Sequence, residues 1–132
     1  MVLTFPGTRT GFAWGFDELR RALDSHPLED RARYNCELVF EEVVTNIIRH
    51  GYRDSAKHEI EVAVDFSPHE IVMRFEDDGV PFDPPRHLPS PSTSIEDGGR
   101  GLILLRAAAR RLDYERTPQQ RNRLTVSVAA GG

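Results

Sequence analysis

Three stretches of this 132-residue chain combine residue types and spacings that can do chemistry. The first is Glu42-Val43-Val44-Thr45-Asn46-Ile47-Ile48-Arg49-His50, which sets a carboxylate, a carboxamide and an imidazole four residues apart in a mostly apolar run. A helix advances about 100° per residue, so Glu42, Asn46 and His50 would stack into one nearly straight polar stripe. Val39, Phe40, Val43 and Ile47 form the neighbouring apolar arc on the same wheel. A solvated helix puts its polar row opposite its apolar row, whereas this stripe borders it. Its groups therefore need partners, because a polar group buried unpaired costs about 1–3 kcal/mol. A bound ligand could supply them; plain helix-surface decoration is the commoner use of such a row.

The second stretch is Asp77-Asp78-Gly79. In the alternating run from Ile71, Asp77 shares the parity of Ile71, Met73 and Phe75, the face that should be buried. An inward carboxylate at a strand end is costly unless a donor meets it. Two donors fit: backbone amides of its own turn, a common fate for Asp before Gly, or the exocyclic amino group of a purine whose flat faces rest on apolar neighbours. Asp78 points the other way, and Gly79 lets the chain turn close against whatever Asp77 binds.

The third is Gly98-Gly99-Arg100-Gly101, directly before the apolar segment Leu102–Arg110. Glycines at a helix start bare the first N–H groups where the helix dipole favours an anion, so this turn could cradle phosphate. No Lys-Ser/Thr follows it and no strand feeds it, so it is neither a Walker A loop nor a dinucleotide fingerprint. Flexible punctuation is the alternative.

The elements that must position these groups follow from periodicity. Val2–Phe5 reads as a strand ending at Pro6-Gly7. Phe12 to Ser25 reads as a helix on Phe12, Phe16, Leu19 and Leu23, with Trp14 off that row. A second helix spans about Leu28 to His50, with Gly51 as its stop. Ile60–Phe66 and Ile71–Asp77 alternate about the turn Ser67-Pro68-His69-Glu70, a hairpin. Pro81 to Gly98 is aperiodic and rich in Pro, Ser, Thr and Asp, a loop. Gly101 to Leu112 reads as a short helix, and Asp113–Thr117 with Arg123–Val128 as a closing hairpin with Leu124, Val126 and Val128 inward. Few strands are separated by single helices, so a doubly wound parallel sheet is disfavoured. The expectation is one α+β domain over residues 1–132, a two-layer sandwich with a mostly antiparallel sheet and helices on one face.

Composition excludes other classes. A formal charge of −4 argues against nucleic acid or an anionic membrane as the main partner. Cys36 is the only cysteine, so an intrachain disulfide and a thiolate cluster are excluded, and it reads as a small core residue. No basic-then-apolar leader and no membrane-length apolar run stand in the sequence, so the expected location is cytoplasmic.

Taken in order, Glu42 to Asn46, Asp77-x-Gly79 followed by Pro81-Phe82-Asp83, and Gly99-x-Gly101-Leu102 resemble the N, G1 and G2 boxes of GHKL-type ATP-binding domains. The short chain, the Pro-Phe-Asp-Pro run and the closing Asn122-Arg123-Leu124-Thr125 resemble anti-sigma factor serine kinases of bacterial partner switching. The resemblance covers roughly residues 1 to 130 and implies a Bergerat sandwich with ATP between the helices under a lid. It implies Mg²⁺ on the Asn46 side-chain oxygen, adenine on Asp77 with Gly79 allowing close approach, and phosphates over Gly99, Arg100, Gly101 and the start of the Leu102 helix. It makes Glu42 the base that takes a proton from a partner's serine; His50 reads as a packed, hydrogen-bonded histidine behind the site rather than a catalytic one. Pro81 replaces a second G1 glycine found in many such domains. The lid from Pro84 to Gly98 has no lysine; its basic residues are Arg86 and His87, and Glu96 and Asp97 precede the glycines.

The resemblance thus implies a protein serine kinase that phosphorylates a STAS-type anti-anti-sigma protein, sequesters a sigma factor or other regulatory target, and forms a homodimer. An alternative keeps fold and nucleotide but drops the reaction: a nucleotide-gated interaction module. A sensor-kinase fragment acting on histidine is disfavoured by the lack of a dimerisation helix pair with its own phosphoacceptor. A non-nucleotide binding protein of the same class is the remaining alternative.

Overall fold

The computed structural model describes residues 1–51, 57–81 and 99–131, with His50, Arg100 and Leu102 described by backbone alone. The expected loop beyond Pro81, its Phe82-Asp83 pair and the lid residues Arg86, His87, Glu96 and Asp97 lie outside the described residues.

The chain runs β1 (Val2–Pro6), α1 (Arg9–Asp24), α2 (Asp30–Asn46), a π-helical turn (Ile47–Gly51), β2 (Glu59–Phe66), β3 (Glu70–Asp77), α3 (Gly99–Ala108), β4 (Arg111–Arg116) and β5 (Asn122–Ala129). The five strands form one sheet in the order β1-β2-β3-β5-β4, with every neighbouring pair antiparallel. The helices pack on one face of this open sheet, an α+β architecture consistent with a Bergerat ATPase-like fold, as expected. Register follows the alternating pattern. Leu3, Val62, Phe75, Leu124 and Tyr114 stand side by side across all five strands, and the next inner row brings Asp77 opposite Asn122 and Asn122 opposite Arg116.

Helix α1 is capped by Thr8, whose Oγ1 accepts the Gly11 amide at 3.1 Å. Its buried row is Gly11, Gly15, Leu19 and Leu23; Leu19 and Leu23 are inward as expected, whereas glycines stand where Phe12 and Phe16 were expected. The helix lies too near β1 for side chains there: a Cβ on Gly15 would meet the Phe5 ring at 2.9 Å and Phe40 at 3.1 Å, so glycine is required. Phe12 and Phe16 flank this row, half-buried against Phe40.

Helix α2 buries Ala32, Cys36, Val39, Phe40, Val43 and Val44, the spacing of one helical face. Burial pushes the Cys36 thiol up to about 12, with Glu37 adding to the effect, so it is an inert core group. The helix leaves α geometry after Asn46, and Gly51 closes a wider π turn rather than serving as an α-helical cap. The stripe from Glu42 to Asn46 therefore holds, while His50 sits beyond the change of pitch, where the 100° step no longer applies.

Helix α3 begins two residues earlier than expected and ends at Ala108. Leu112 belongs to β4, opposite Val126, because the Arg110 amide already bonds the Ser127 carbonyl at 2.7 Å and commits the chain to the sheet. Among the described residues, no helix is long and apolar enough to cross a membrane.

Candidate nucleotide site

The inner face of the sheet is an apolar floor that turns polar only where β3, β5 and β4 end. Phe75, Met73 and Ile71 of β3 are buried, and so is Asp77, at 3% exposure. The parity reading of Asp77 is therefore correct. Val126 and Val128 are fully buried on β5, and Asn122, the inward residue at its start, is buried too.

Between this floor and helix α2 lies a pocket of about 450 Å³, solvent mouth included. Val43, Asn46 and Ile47 line it from the helix side, Phe75, Asp77 and Val80 from β3, and Tyr114, Asn122 and Leu124 from the closing hairpin. Leu105 of α3 closes one wall. Asn46 and Asp77, 31 positions apart in sequence, thus face one cavity whose other walls are mainly apolar. Its lining suits a small flat ligand held by few polar groups.

Asp77 satisfies the local alternative with one oxygen only. Its Oδ2 accepts the Gly79 amide at 2.8 Å and the Asn122 Nδ2 at 3.3 Å. Among the described residues, no donor meets Oδ1. Burial pushes the Asp77 carboxyl above its ordinary range. The bonds from Gly79 and Asn122 pull it back, Asp78 raises it further and Arg121 lowers it. What Gly79 contributes here is its amide; among the described glycines, the one at positive φ is Gly131 (124°). Asp78 is exposed and pairs with His58 Nδ1 at 2.8 Å, pointing away from the pocket as its parity requires.

Glu42 lies one turn before Asn46 and reaches the first turn of α3. A Cβ on Gly101 would fall on the Glu42 carboxylate, so that carboxylate lies directly against the turn and would have to swing aside for a side chain there. Helices α2 and α3 pack together, and Gly99 and Gly101 both lie in the N-terminal turn of α3. The structure thus brings together Glu42 with Gly101, Asn46 with Asp77, and Asp77 with the Gly79 amide. The side chains of Arg100 and Leu102 lie outside the described residues.

Tyr114, Arg116 and the inward Asn122 were not assigned site roles from sequence. Asn122 Oδ1 accepts from the Tyr114 hydroxyl and from Arg116 Nη1 at 3.0 Å. Arg116 Nη1 also bonds the Gly79 carbonyl at 2.9 Å, tying the closing hairpin to the turn after β3. The signal was present: a polar residue of inward parity at a strand end, the same feature that marks Asp77.

Residues 16–128 match the family model of the histidine kinase-like ATPase domain. The chain belongs to that family. Among solved structures, this histidine kinase-like ATPase domain is similar to the histidine kinase domain of the Erythrobacter litoralis EL346 blue-light activated histidine kinase. The TM-score is 0.54 at 20% identity over 76% of this chain, which spans only 45% of that one. It is also similar to a chain of the SiaB-SiaC complex from Pseudomonas aeruginosa, with a TM-score of 0.60 at 16% identity, covering 98% of this chain and 89% of that one. The Acinetobacter baumannii histidine kinase AdeS gives 0.50 at 12% identity, covering 100% and 68%. No curated protein matches. At these identities the structures share the fold; family membership itself implies nucleotide binding in general.

Proposed function

We propose that this histidine kinase-like ATPase domain is an anti-sigma-factor-type serine kinase, which binds ATP with Mg²⁺, phosphorylates a STAS-type antagonist and sequesters a regulatory target. One observation carries the reading: Asn46 and Asp77 line the same pocket while Glu42, a turn away, lies against the glycine turn of α3. The resemblance of the three boxes, in order, supports the finer assignment.

The residues present fit the nucleotide. The Asp77 Oδ1, buried and without a described donor, would accept the adenine amino group, and Val43, Ile47, Val80 and Leu105 offer apolar contacts to the ring. They also fit the metal. Mg²⁺ is a hard cation that wants oxygen ligands, keeps most of its waters and takes few protein ligands besides phosphate oxygens. Asn46 would offer its side-chain oxygen, and bound Mg²⁺ would offset phosphate charge. Gly99 and Gly101 would present bare amides at the helix end that favours anions, with Arg100 adding positive charge. Glu42 would accept the proton of the partner's serine as that oxygen bonds to the terminal phosphorus and the bond to ADP breaks, giving phosphoserine and ADP.

Incubation of the purified chain with labelled ATP, Mg²⁺ and candidate STAS proteins tests this. Label on a single serine is expected. ATP association without transfer would remove the kinase step, and no association would remove the nucleotide reading.

Asp77 adds a pH signature. Its raised value means the fold favours the protonated carboxyl, so its contribution to stability is complete below the ordinary aspartate range and is lost as pH rises through the raised value. ATP affinity runs the opposite way, because the ionised oxygen is the acceptor. Affinity should fall in acid on a limb above the ordinary aspartate range. Asp77→Asn should lose about 1.5–3 kcal/mol of binding, ten- to a hundredfold, with no such limb and no loss of fold stability. An unchanged acid limb in that variant would remove Asp77 from recognition.

A further inference from the structure

Asn122 lies opposite Asp77 on the neighbouring strand, and its amide is locked from both ends. Its Oδ1 accepts from Tyr114 and Arg116, while Nδ2 faces Asp77 Oδ2, the Gly79 carbonyl at 3.3 Å and the Val80 carbonyl at 2.9 Å. A flipped amide would set its oxygen against three acceptors and its hydrogens against two donors, so one orientation is permitted. This lock is more than the Asp77 turn requires, since the Gly79 amide alone already caps Oδ2 at 2.8 Å.

We propose that Asn122 is a specificity-determining positioning residue: by holding Oδ2 of Asp77, it leaves the carboxylate a single acceptor and so restricts the pocket to 6-amino purines. The inference rests on the nucleotide reading above. Adenine presents one exocyclic donor beside a ring nitrogen that is itself an acceptor. It needs one acceptor oxygen, and it gains from an Oδ2 whose charge is already drawn onto two protein donors. Guanine presents two adjacent donors, the ring N1–H and the 2-amino group, which pair best with both oxygens of a carboxylate. With Oδ2 saturated and unable to rotate, that fork is closed to it. Hypoxanthine offers a carbonyl where adenine has its amine, and so sets oxygen against oxygen.

The test is calorimetric titration of the full chain with Mg·ATP, Mg·GTP and Mg·ITP, in wild type, Asn122→Ala and Tyr114→Phe. Wild type should prefer ATP over GTP by about a hundredfold or more. Asn122→Ala, which leaves Oδ2 held by the Gly79 amide alone, with room to accept a second donor, should cut that preference about tenfold. Tyr114→Phe keeps the ring and removes only the hydroxyl that pins the amide; it should shift the preference in the same direction by less, and it decides the matter if Asn122→Ala does not fold. A purely structural role would weaken all three nucleotides in proportion and leave their ratios unchanged. Unchanged ratios in folded variants overturn the inference while ATP binding stands. Wild type binding no purine nucleotide overturns the nucleotide reading, and this inference with it.

Discussion

Glu42→Gln should reduce phosphoryl transfer to the antagonist serine by about 10²–10⁴-fold, with ATP affinity within a few-fold of wild type. The amide has nearly the same shape and can keep the contact with the α3 turn at Gly101, but it cannot take up a proton. Loss should therefore fall on kcat, not on KM for ATP. Full activity in the variant would remove Glu42 as the base. A collapse of ATP affinity would instead make it a strut between α2 and α3. If wild type binds ATP yet no STAS protein accepts phosphate, the nucleotide-gated module becomes the better account, and Glu42→Gln would then alter only partner binding.

Phe40→Ala should destabilise the fold by about 3–5 kcal/mol, a cost that combines lost transfer energy with the cavity left behind. Phe40 is fully buried, and its ring centroid lies 5.8 Å from those of Phe5 and Phe12, 5.9 Å from Phe16 and 6.3 Å from Phe75. Those rings belong to β1, α1 and β3, so one side chain joins three elements to the helix that carries Glu42 and Asn46. Gly15 packs against the same ring, so losing that ring opens a void directly beneath α1. Urea unfolding gives the measurement. A midpoint shift worth less than about 1 kcal/mol would show that the neighbouring rings close the gap and that Phe40 is not the joint described.

Much of this architecture was legible because the deciding pattern is local. The parity of Ile71, Met73 and Phe75 is enough to turn Asp77 inward, and the i, i+4 step is enough to put Glu42 and Asn46 on one stripe. The failures have equally definite causes. The face of α1 nearest the sheet is made by glycines, which carry no hydrophobic signal, so the pattern pointed to Phe12 and Phe16 at its flank. The helix changes to a π turn after Asn46, and hydropathy does not report a change of helical pitch. Leu112 fits the apolar spacing of α3 but pairs with Val126, because a sheet partner 14 residues on outcompetes one more helical turn. The role of Asn122 depends on the register of β3 against β5, a fact about two distant segments that neither segment states alone.

That register has a consequence for synthesis. The acid of β3 and the amide of β5 are 45 residues apart, and the middle of the sheet is completed only when the last strand inserts between β3 and β4. A nascent chain still lacking β5 would have the N-terminal layers but a pocket without its Asn122 and Leu124 wall. Ligand capture is therefore out of reach until β5 has left the ribosome, and a product truncated before it should be unable to compete for the nucleotide pool.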